Sequence, residues 1–223
     1  MNVKSIIENP PFKLSEDDVN ALLGHFDEFR PYDWAQLKNV IGDMGLLRRS
    51  PHDLRNYILW YSGVEKQYGS IAEFVRRERL KWEHPIVARD AALFNHPDDF
   101  KIIRNDWPYG LGEGITHLVI WSKVSIPIDP DTSLPTAEAT ATIETFLRQI
   151  FDKRLGADWG KDVLWFKQKA EWQSVKSLDH IHVMVRGLAE SEIDALTGTT
   201  RQQILSEQVA KGGMRSIFSV PSI

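Results

Sequence analysis

Two histidines near the end of the chain have the residue type and the spacing that chemistry on a bound group requires. His180 and His182 lie in a segment, residues 179–185, that alternates between polar or soft side chains and β-branched ones. Such alternation predicts a strand whose successive side chains point to opposite faces of a sheet. The two imidazoles then share one face with Met184, roughly 7 Å apart at the backbone. We therefore expect this strand to form one wall of a functional site.

A third histidine, His117, lies in another predicted strand. Residues 115–123 are typical of a buried strand and place His117, Trp121 and Lys123 on one face. If the two strands face the same way, His117 joins the histidine pair. The side chains that we expect to surround a bound ligand are Trp107, Tyr109, Trp121, Lys123, Trp165 and Lys167.

The amino-acid composition excludes several kinds of catalytic site and binding partner. The chain of 223 residues contains no cysteine, which excludes disulfides, thiolate metal ligands and a cysteine nucleophile. A net charge of −4, from 27 basic and 31 acidic residues, gives no basic field for a nucleic-acid partner. Neither a signal peptide nor a run of roughly 20 apolar residues occurs, so we expect a cytoplasmic protein without a membrane partner.

The elements that must position these residues begin with a helical N-terminal region, residues 1–85. Capping residues precede apolar stripes at helical spacing there, and they are Ser15, Ser50 and Ser70. A further helix is predicted from Asp33 to Met44, ended by Gly45. The arginines of this region, Arg48, Arg49, Arg76, Arg77 and Arg79, we interpret as a solvated face.

An α+β core is predicted from residue 86 to residue 190. Predicted strands lie at residues 98–105, 115–123, 162–167 and 179–185, and a helix capped by Thr136 ends near Gly156. Strands joined by short returns favour an antiparallel sheet that carries a helix. Residues 191–223 are predicted to form a C-terminal helix and a tail. We expect the three regions to form one compact unit.

Three runs in the second half occur in a characteristic order. In 114–123 a histidine is followed by apolar residues and a lysine, 163–166 is an apolar strand, and in 173–186 a serine precedes histidines that alternate with apolar residues. With this order and spacing, residues 98–188 resemble the histidine-triad (HIT) family of nucleotide hydrolases and transferases. The resemblance implies a HIT-like antiparallel β-sheet with packed helices, preceded by the helical N-terminal region.

The HIT resemblance also implies a catalytic set. It puts the nucleophile at His182, its neighbour at His180, the outer histidine at His117 and a leaving-group donor at Ser177; Met184 stands where the third histidine belongs. The implied function is a phosphoester or phosphoanhydride hydrolase, or a nucleotidyl transferase, that acts on a nucleotide-like ligand without a cofactor. Its nucleophile has to be a neutral imidazole whose second nitrogen is held by a carbonyl or a carboxylate.

Over its whole length the chain is also similar to a fungal family named for induction by N-acetylglucosamine, an uncharacterised, DUF3605-like family. The residues that carry this similarity are 107–111, 117–121, 164–167 and 180–184. The family has no assigned chemistry, so the similarity indicates one full-length functional unit and adds no reaction.

Two other classes of function remain open. Histidines 117, 180 and 182 could ligate a divalent metal, as in a His-ligated metalloenzyme. Alternatively, the histidines could act as general acid and base on an uncharged organic substrate in an aromatic pocket, as in an isomerase, cyclase or lyase. In each case the partner is a small molecule, and the protein is a monomer or a homodimer.

Overall fold

The computed structural model describes residues 3–26, 28–41, 46–169, 175, 177–200 and 202–203. The α-helices are α1 (Val3–Glu8), α2 (Glu16–Leu23), α3 (Trp34–Val40), α4 (Pro51–Tyr68), α5 (Ile71–Phe74), α6 (Ala137–Leu155) and α7 (Glu190–Thr197). The strands are β1 (Phe100–Arg104), β2 (Ile115–Ser122), β3 (Val163–Phe166) and β4 (Asp179–Arg186). The combination is an α+β fold, as predicted.

The helices begin where the capping residues predict. Ser15, Ser50, Ser70 and Thr136 each accept a hydrogen bond from a first-turn amide, which satisfies a donor that the helix itself leaves open. α3 begins after Asp33 and ends at Val40, while the predicted end at Met44 and Gly45 lies outside the described residues. α1 is a short helix at the start of the chain, and the sequence analysis predicts no separate helix there.

The helix that begins after Ser70 changes from α-helical to π-helical geometry along its length. α5 ends at Phe74, and the chain continues as a π-helical segment, Val75–Leu80, that closes at Lys81 in the left-handed region (φ 58°). Arg76 pairs with Glu73 at 2.6 Å and Arg79 pairs with Asp106 at 2.7 Å, and both arginine side chains are largely buried. The expectation of a solvated arginine face is therefore wrong at these two positions, because each has a carboxylate partner.

Within the described residues, the strands form one antiparallel sheet in the order β1-β2-β4-β3. β1 starts later than predicted, because residues 97–99 form a 3-10 turn in which the buried Asp99 accepts from the amides of Arg89 and Asp90. One face of the sheet packs against α6. Its core includes Leu118, Ile120, Ile143, Leu147, Phe151, Ile181, Val183 and Val185.

The N-terminal helical region covers the other face of the sheet. Val119 and Trp121 of β2 pack with residues of α4, α5 and the π-helical segment, while Met184 and Phe166 pack with α3. This second layer decides the environment of the histidines, because they lie on the face that it covers.

The end of the described chain returns to the sheet edge. In α7, Glu190 and Asp194 both pair with the buried Arg104 of β1, at 2.9 and 2.7 Å. Of the predicted C-terminal helix and tail, the structure describes α7, which ends at Thr197, and residues 204–223 lie outside the described residues. No helix in the described ranges is both long and apolar enough to cross a membrane.

Candidate functional site

The register of β2 and β4 gathers the histidines on one face of the sheet. Trp121 pairs with His180, Val119 with His182 and His117 with Met184. Directly opposed residues of an antiparallel pair project to the same side, so the three imidazoles form one cluster. They are buried, with only 3% of His117, 5% of His180 and 8% of His182 exposed. We call this group the histidine cluster.

His117 and His182 contact each other directly. The Nε2 atom of His117 lies 2.9 Å from Nδ1 of His182, which is hydrogen-bond distance. Asn105, directly after β1, places its Nδ2 atom 3.3 Å from Nδ1 and 3.2 Å from Nε2 of His117. The Oδ1 atom of Asn105 accepts from the backbone amide of Trp107 at 2.9 Å. A continuous polar chain thus runs from the backbone at Trp107 to His182.

His180 is held by a different partner. Its Nδ1 atom lies 2.9 Å from the carbonyl oxygen of Leu178, and the ring is 4.3 Å from the ring of Trp121 and 5.2 Å from that of His182. Because a carbonyl oxygen only accepts, Nδ1 of His180 carries the hydrogen. A nucleophilic histidine is expected to have one ring nitrogen held by a carbonyl, and this hydrogen bond is made by His180.

Aromatic rings close over the cluster. Tyr109 stacks on His117 with centroids 5.2 Å apart, and Phe166 stacks on His182 at 4.9 Å. The loop that carries Tyr109, residues 107–112, is joined to the N-terminal region by backbone hydrogen bonds, from Tyr32 to Gly110 (2.8 Å) and from Gly110 to Arg48 (3.0 Å). We call residues 107–112 the cover loop.

Burial keeps all three imidazoles neutral. Desolvation is the largest cause in each case, and it lowers the pKa of His117 to about 3, that of His180 to about 4 and that of His182 well below its usual value. Arg49 lowers the pKa of His117 and His182 further, and Lys167 lowers that of His180 and His182. At neutral pH the cluster therefore offers lone pairs and N–H groups rather than positive charge.

Two cations lie beside this neutral cluster. Lys167 is buried, with Nζ 2.7 Å from Asp179. The Arg49 guanidinium lies over the rings of Tyr57 (4.2 Å) and Tyr109 (5.2 Å) and donates from Nε to the carbonyl of Trp107 at 3.1 Å. Sequence reasoning assigned Arg49 to a solvated face, and the structure places it against the site. Nothing in the Arg48-Arg49 pair distinguishes its two members beforehand, since only the fold decides which one turns inward.

The structure brings together some of the predicted ligand-binding residues and not others. Trp121, Tyr109 and Lys167 contact the cluster or its immediate partners, and Trp107 contributes its backbone to Asn105 and Arg49. Lys123 instead lies beyond the end of β2, with Nζ 3.6 Å from Asp99.

Two further predicted site residues lie apart from the buried cluster. Trp165 pairs with Val183 and packs on the α6 face, opposite to the histidines, because the period-two alternation of β3 turns Phe166 toward them instead. Ser177 is exposed and lies two residues before Asp179, the first residue of β4.

The histidines are not arranged as a metal site. Among the described residues, no group of three or more histidine, aspartate or glutamate side chains could hold a metal ion. The direct contact between Nε2 of His117 and Nδ1 of His182 gives one reason, because these two nitrogens already bind each other. No carboxylate of the described residues takes part in the contacts among the three rings.

Three ring nitrogens around the cluster are buried without a hydrogen-bond partner in the described part of the chain. They are Nε2 of His182, Nε1 of Trp121 and Nε1 of Trp107. Leaving a buried polar group unpaired costs about 1–3 kcal/mol, so native proteins do so rarely and often at functional sites. The nitrogens of His182 and Trp121 mark where a ligand could complete the hydrogen bonding of the cluster, while the ring of Trp107 lies against Tyr57 and Trp60.

Comparisons with known proteins fit this description. The profile of the family described as "Protein of unknown function (DUF3605)" matches residues 33–186, a range that contains the histidine cluster, Asn105 and Arg49. The chain is 24% identical over 196 residues to N-acetylglucosamine-induced protein 1 of Candida albicans, covering 79% of this chain and 76% of that protein. It is 30% identical over 199 residues to the uncharacterized protein YPL067C of Saccharomyces cerevisiae, covering 86% and 96%.

One solved structure extends the likeness to three dimensions. The crystal structure of HTC1 is similar to this chain with a TM-score of 0.57 and 25% sequence identity, covering 80% of this chain and 96% of that one. The sequence matches and the structural match therefore each cover most of the described residues. The chain belongs to the DUF3605 family.

Proposed function

We propose that the histidine cluster binds a nucleotide-like phosphate compound and cleaves or transfers its phosphoester or phosphoanhydride bond through a histidine nucleophile. The observation that carries the proposal is Arg49. Its guanidinium lies against the site, and no carboxylate in the described ranges forms an ion pair with it. A cation held beside neutral imidazoles attracts an anionic ligand, and a guanidinium suits phosphate oxygens.

The neutral imidazoles supply the chemistry that an anion site alone would lack. A histidine attacks phosphorus through an unprotonated nitrogen, and the depressed pKa values keep that nitrogen free at physiological pH. Lys167 and Arg49 would neutralise charge on the phosphoryl oxygens as the transition state forms. Ser177, exposed just before β4, remains the candidate donor to the leaving group.

The HIT resemblance supports the proposal through the order of its parts. The four-stranded antiparallel sheet carries α6 on one face and His117, His180 and His182 on the other. Met184, which replaces the third histidine of the resemblance, is fully buried and lies directly opposite His117. A histidine is thus retained beside that position on the neighbouring strand.

Ligand binding can be tested by thermal unfolding in the presence of AMP, GMP, ADP, diadenosine polyphosphates and UDP-N-acetylglucosamine. The last is included because the Candida relative is named for induction by N-acetylglucosamine. A ligand at a hundred times its Kd stabilises the native state by about 2.7 kcal/mol. We expect a rise in Tm that is lost in Arg49→Met and kept in Arg48→Met. The latter is a matched control, because Arg48 pairs with Asp17 at the surface.

Turnover is tested on the same compounds and on adenosine phosphoramidates, with His182→Ala as the comparison. Turnover that the variant loses supports the proposal. If no compound raises Tm and none is turned over, the phosphate proposal is rejected. The aromatic surroundings of the cluster then favour acid–base chemistry on an uncharged organic substrate, and a screen of apolar carbonyl compounds by the same thermal assay would examine that second candidate.

A further inference from the structure

We infer that His180, rather than His182, is the nucleophile of this site, and that His182 and Trp121 donate hydrogen bonds to the oxygens of the group that His180 attacks. The inference rests on the proposed function for its chemistry. Its structural basis, the distribution of hydrogens over the three rings, can be measured without any substrate.

The tautomer of His180 follows from one contact. Nδ1 donates to the carbonyl oxygen of Leu178 at 2.9 Å, so in the neutral ring the lone pair is on Nε2. A backbone carbonyl directly before the strand is a fixed acceptor, and the ring keeps this tautomer whatever the neighbouring side chains do. His180 is therefore the histidine whose Nε2 is free to attack.

The tautomer of His117 follows from Asn105. The backbone amide of Trp107 can only donate, so the atom of Asn105 that faces it is the oxygen, and the amide nitrogen of Asn105 faces His117 as a donor. If Nδ1 of His117 is bare, it accepts from Asn105 while Nε2–H donates to His182. The opposite tautomer leaves the Nδ1–H of His117 without an acceptor and makes one lone pair on Nε2 serve two donors. Only the first arrangement satisfies every polar atom of His117.

The tautomer of His182 is then determined by that of His117. Its Nδ1 accepts from Nε2–H of His117, so its own hydrogen is on Nε2. This N–H is buried and has no partner in the described part of the chain. A ring nitrogen that carries a hydrogen has no lone pair in the ring plane for attack on phosphorus, whereas it is well suited to donate to a phosphoryl oxygen.

A second donor belongs to the other ring that contacts His180. Trp121 is the cross-strand partner of His180, their rings are 4.3 Å apart, and Nε1–H of Trp121 is likewise buried and unpartnered in the described residues. The two rings that contact the ring of His180 therefore each carry an N–H group whose hydrogen bonding is incomplete. Donors fixed in advance around a nucleophile stabilise the negative charge that develops on the attacked group.

The step balances without a further reactant. The lone pair on Nε2 of His180 forms the nitrogen–phosphorus bond, the phosphorus–oxygen bond breaks, and its electron pair leaves with the phosphate that departs as an anion. Water then attacks the phosphohistidine. Its oxygen stays on phosphorus with one hydrogen, the nitrogen–phosphorus bond returns its pair to Nε2, and the second proton of the water goes to solvent.

Long-range proton–nitrogen NMR of ¹⁵N-histidine-labelled protein at pH 7.5 reads each tautomer directly. We expect His180 to be protonated at Nδ1, and His117 and His182 at Nε2. Asn105→Asp provides a sharp second test, because a carboxylate offers only acceptors: His117 and His182 should then both move to the Nδ1–H tautomer while His180 stays unchanged. Wild-type spectra that show Nε2–H on His180 or Nδ1–H on His182 would overturn the inference.

Trapping the intermediate separates this inference from the proposed function. Quenched wild-type protein with a turned-over phosphoanhydride should carry phosphorus on His180, and His180→Gln should carry none. His182→Phe, which lacks the donor, should lower the rate about 10²–10³-fold, and His182→Gln, which keeps an N–H, should recover part of it. Phosphorus on His182 would overturn the assignment and leave the proposed function standing. If no phosphate compound labels the protein, the phosphoryl-transfer chemistry of the proposed function and of this inference is rejected. The NMR spectra then still test the assignment of the tautomers.

Discussion

The two faces of the sheet are both buried and chemically unlike. Toward α6, the alternate residues of β2 and β4 are Leu118, Ile120, Ile181 and Val183, which pack with other apolar side chains. Toward the N-terminal helices, the intervening residues of the same strands include the three histidines. One face therefore gains hydrophobic free energy from almost every side chain, while the other encloses polar atoms that are only partly satisfied.

The difference shows how one pair of strands can serve stability and chemistry at once. Because side chains alternate along each strand, the stabilising apolar residues lie on one face and the histidines on the other. A substitution on the apolar face therefore need not disturb the histidines. Buried imidazoles with unpartnered nitrogens lower the stability of the native state, and such exceptions to good packing are expected where function requires them. The following predictions test how cleanly the two faces are separated.

The largest expected effect is the loss of stability in acid, which should come from the histidine face. The folded pKa of each histidine of the cluster is depressed, so between that value and about 6.5 the unfolded chain binds more protons than the native protein. Stability is then fully present above pH 6.5 and falls as the pH decreases, approaching about 1.4 kcal/mol per pH unit for each histidine.

Urea unfolding at intervals from pH 8 to pH 5 measures this acid dependence. The His117→Gln variant should show a shallower dependence, because one titrating group is removed. A free energy of unfolding that stays constant over this range would show that the imidazoles take up protons in the native protein as they do in the unfolded chain, contrary to their burial.

On the apolar face, Leu147→Ala should lower the free energy of unfolding by about 2–5 kcal/mol at pH 7.5. Leu147 lies in α6 and is fully buried in the core that excludes the histidines. Denaturant unfolding measures the loss, and the histidine ¹⁵N spectrum should stay unchanged. A shift of the histidine signals would mean that the two faces are mechanically coupled through the strands.

Met184→His restores the third histidine of the HIT pattern at a fully buried position. We expect a loss of about 1–3 kcal/mol, because the added nitrogens enter an apolar group of side chains that includes Trp34 and Leu37. Met184→Leu, which conserves volume, should cost less than about 1.5 kcal/mol. Equal stability of the two variants in urea would indicate that the new imidazole finds a partner, most simply at His117 across the strand.

The smallest effect on stability is expected from Arg49→Met, about 0.5–1 kcal/mol, corresponding to the lost contacts over Tyr57 and Tyr109. Since Arg49 lowers the pKa of His117 and His182, its removal should raise both values. The total loss of stability in acid should therefore be smaller than in the wild type, and the difference should appear as the pH approaches the folded pKa values. An unchanged acid dependence in urea unfolding would show that the charge of Arg49 is screened from the cluster.

Local patterns predicted the elements and the face of the sheet on which the histidines lie. Ser50 with Pro51, and Thr136 with the following stripe, set helix starts that the structure confirms, because capping depends on neighbouring residues alone. The alternation around His180 likewise depends only on local geometry. The α+β class followed from these elements and their order.

The contacts that give the histidines their properties could not be predicted in the same way. Asn105, Arg49 and the carbonyl of Leu178 act on the cluster through the register of the sheet and the path of the cover loop. Register also explains why Phe166 faces His182 while Trp165 faces α6, since a shift by one residue exchanges the two faces. Such information is spread over distant parts of the chain.

The cover loop has a consequence for the order in which the protein folds. Its hydrogen bonds join Gly110 to Tyr32 and to Arg48, and a Cβ atom at Gly110 would overlap the ring of Phe29, so the loop fits only against a completed N-terminal segment. Contacts between residues so far apart in sequence form late, because the closure of long loops costs entropy before the contacts compensate it. The central β2–β4 pairing joins residues equally far apart, so the sheet and its cover should form together and late. The histidines therefore become buried and neutral only when both halves of the chain have folded onto each other.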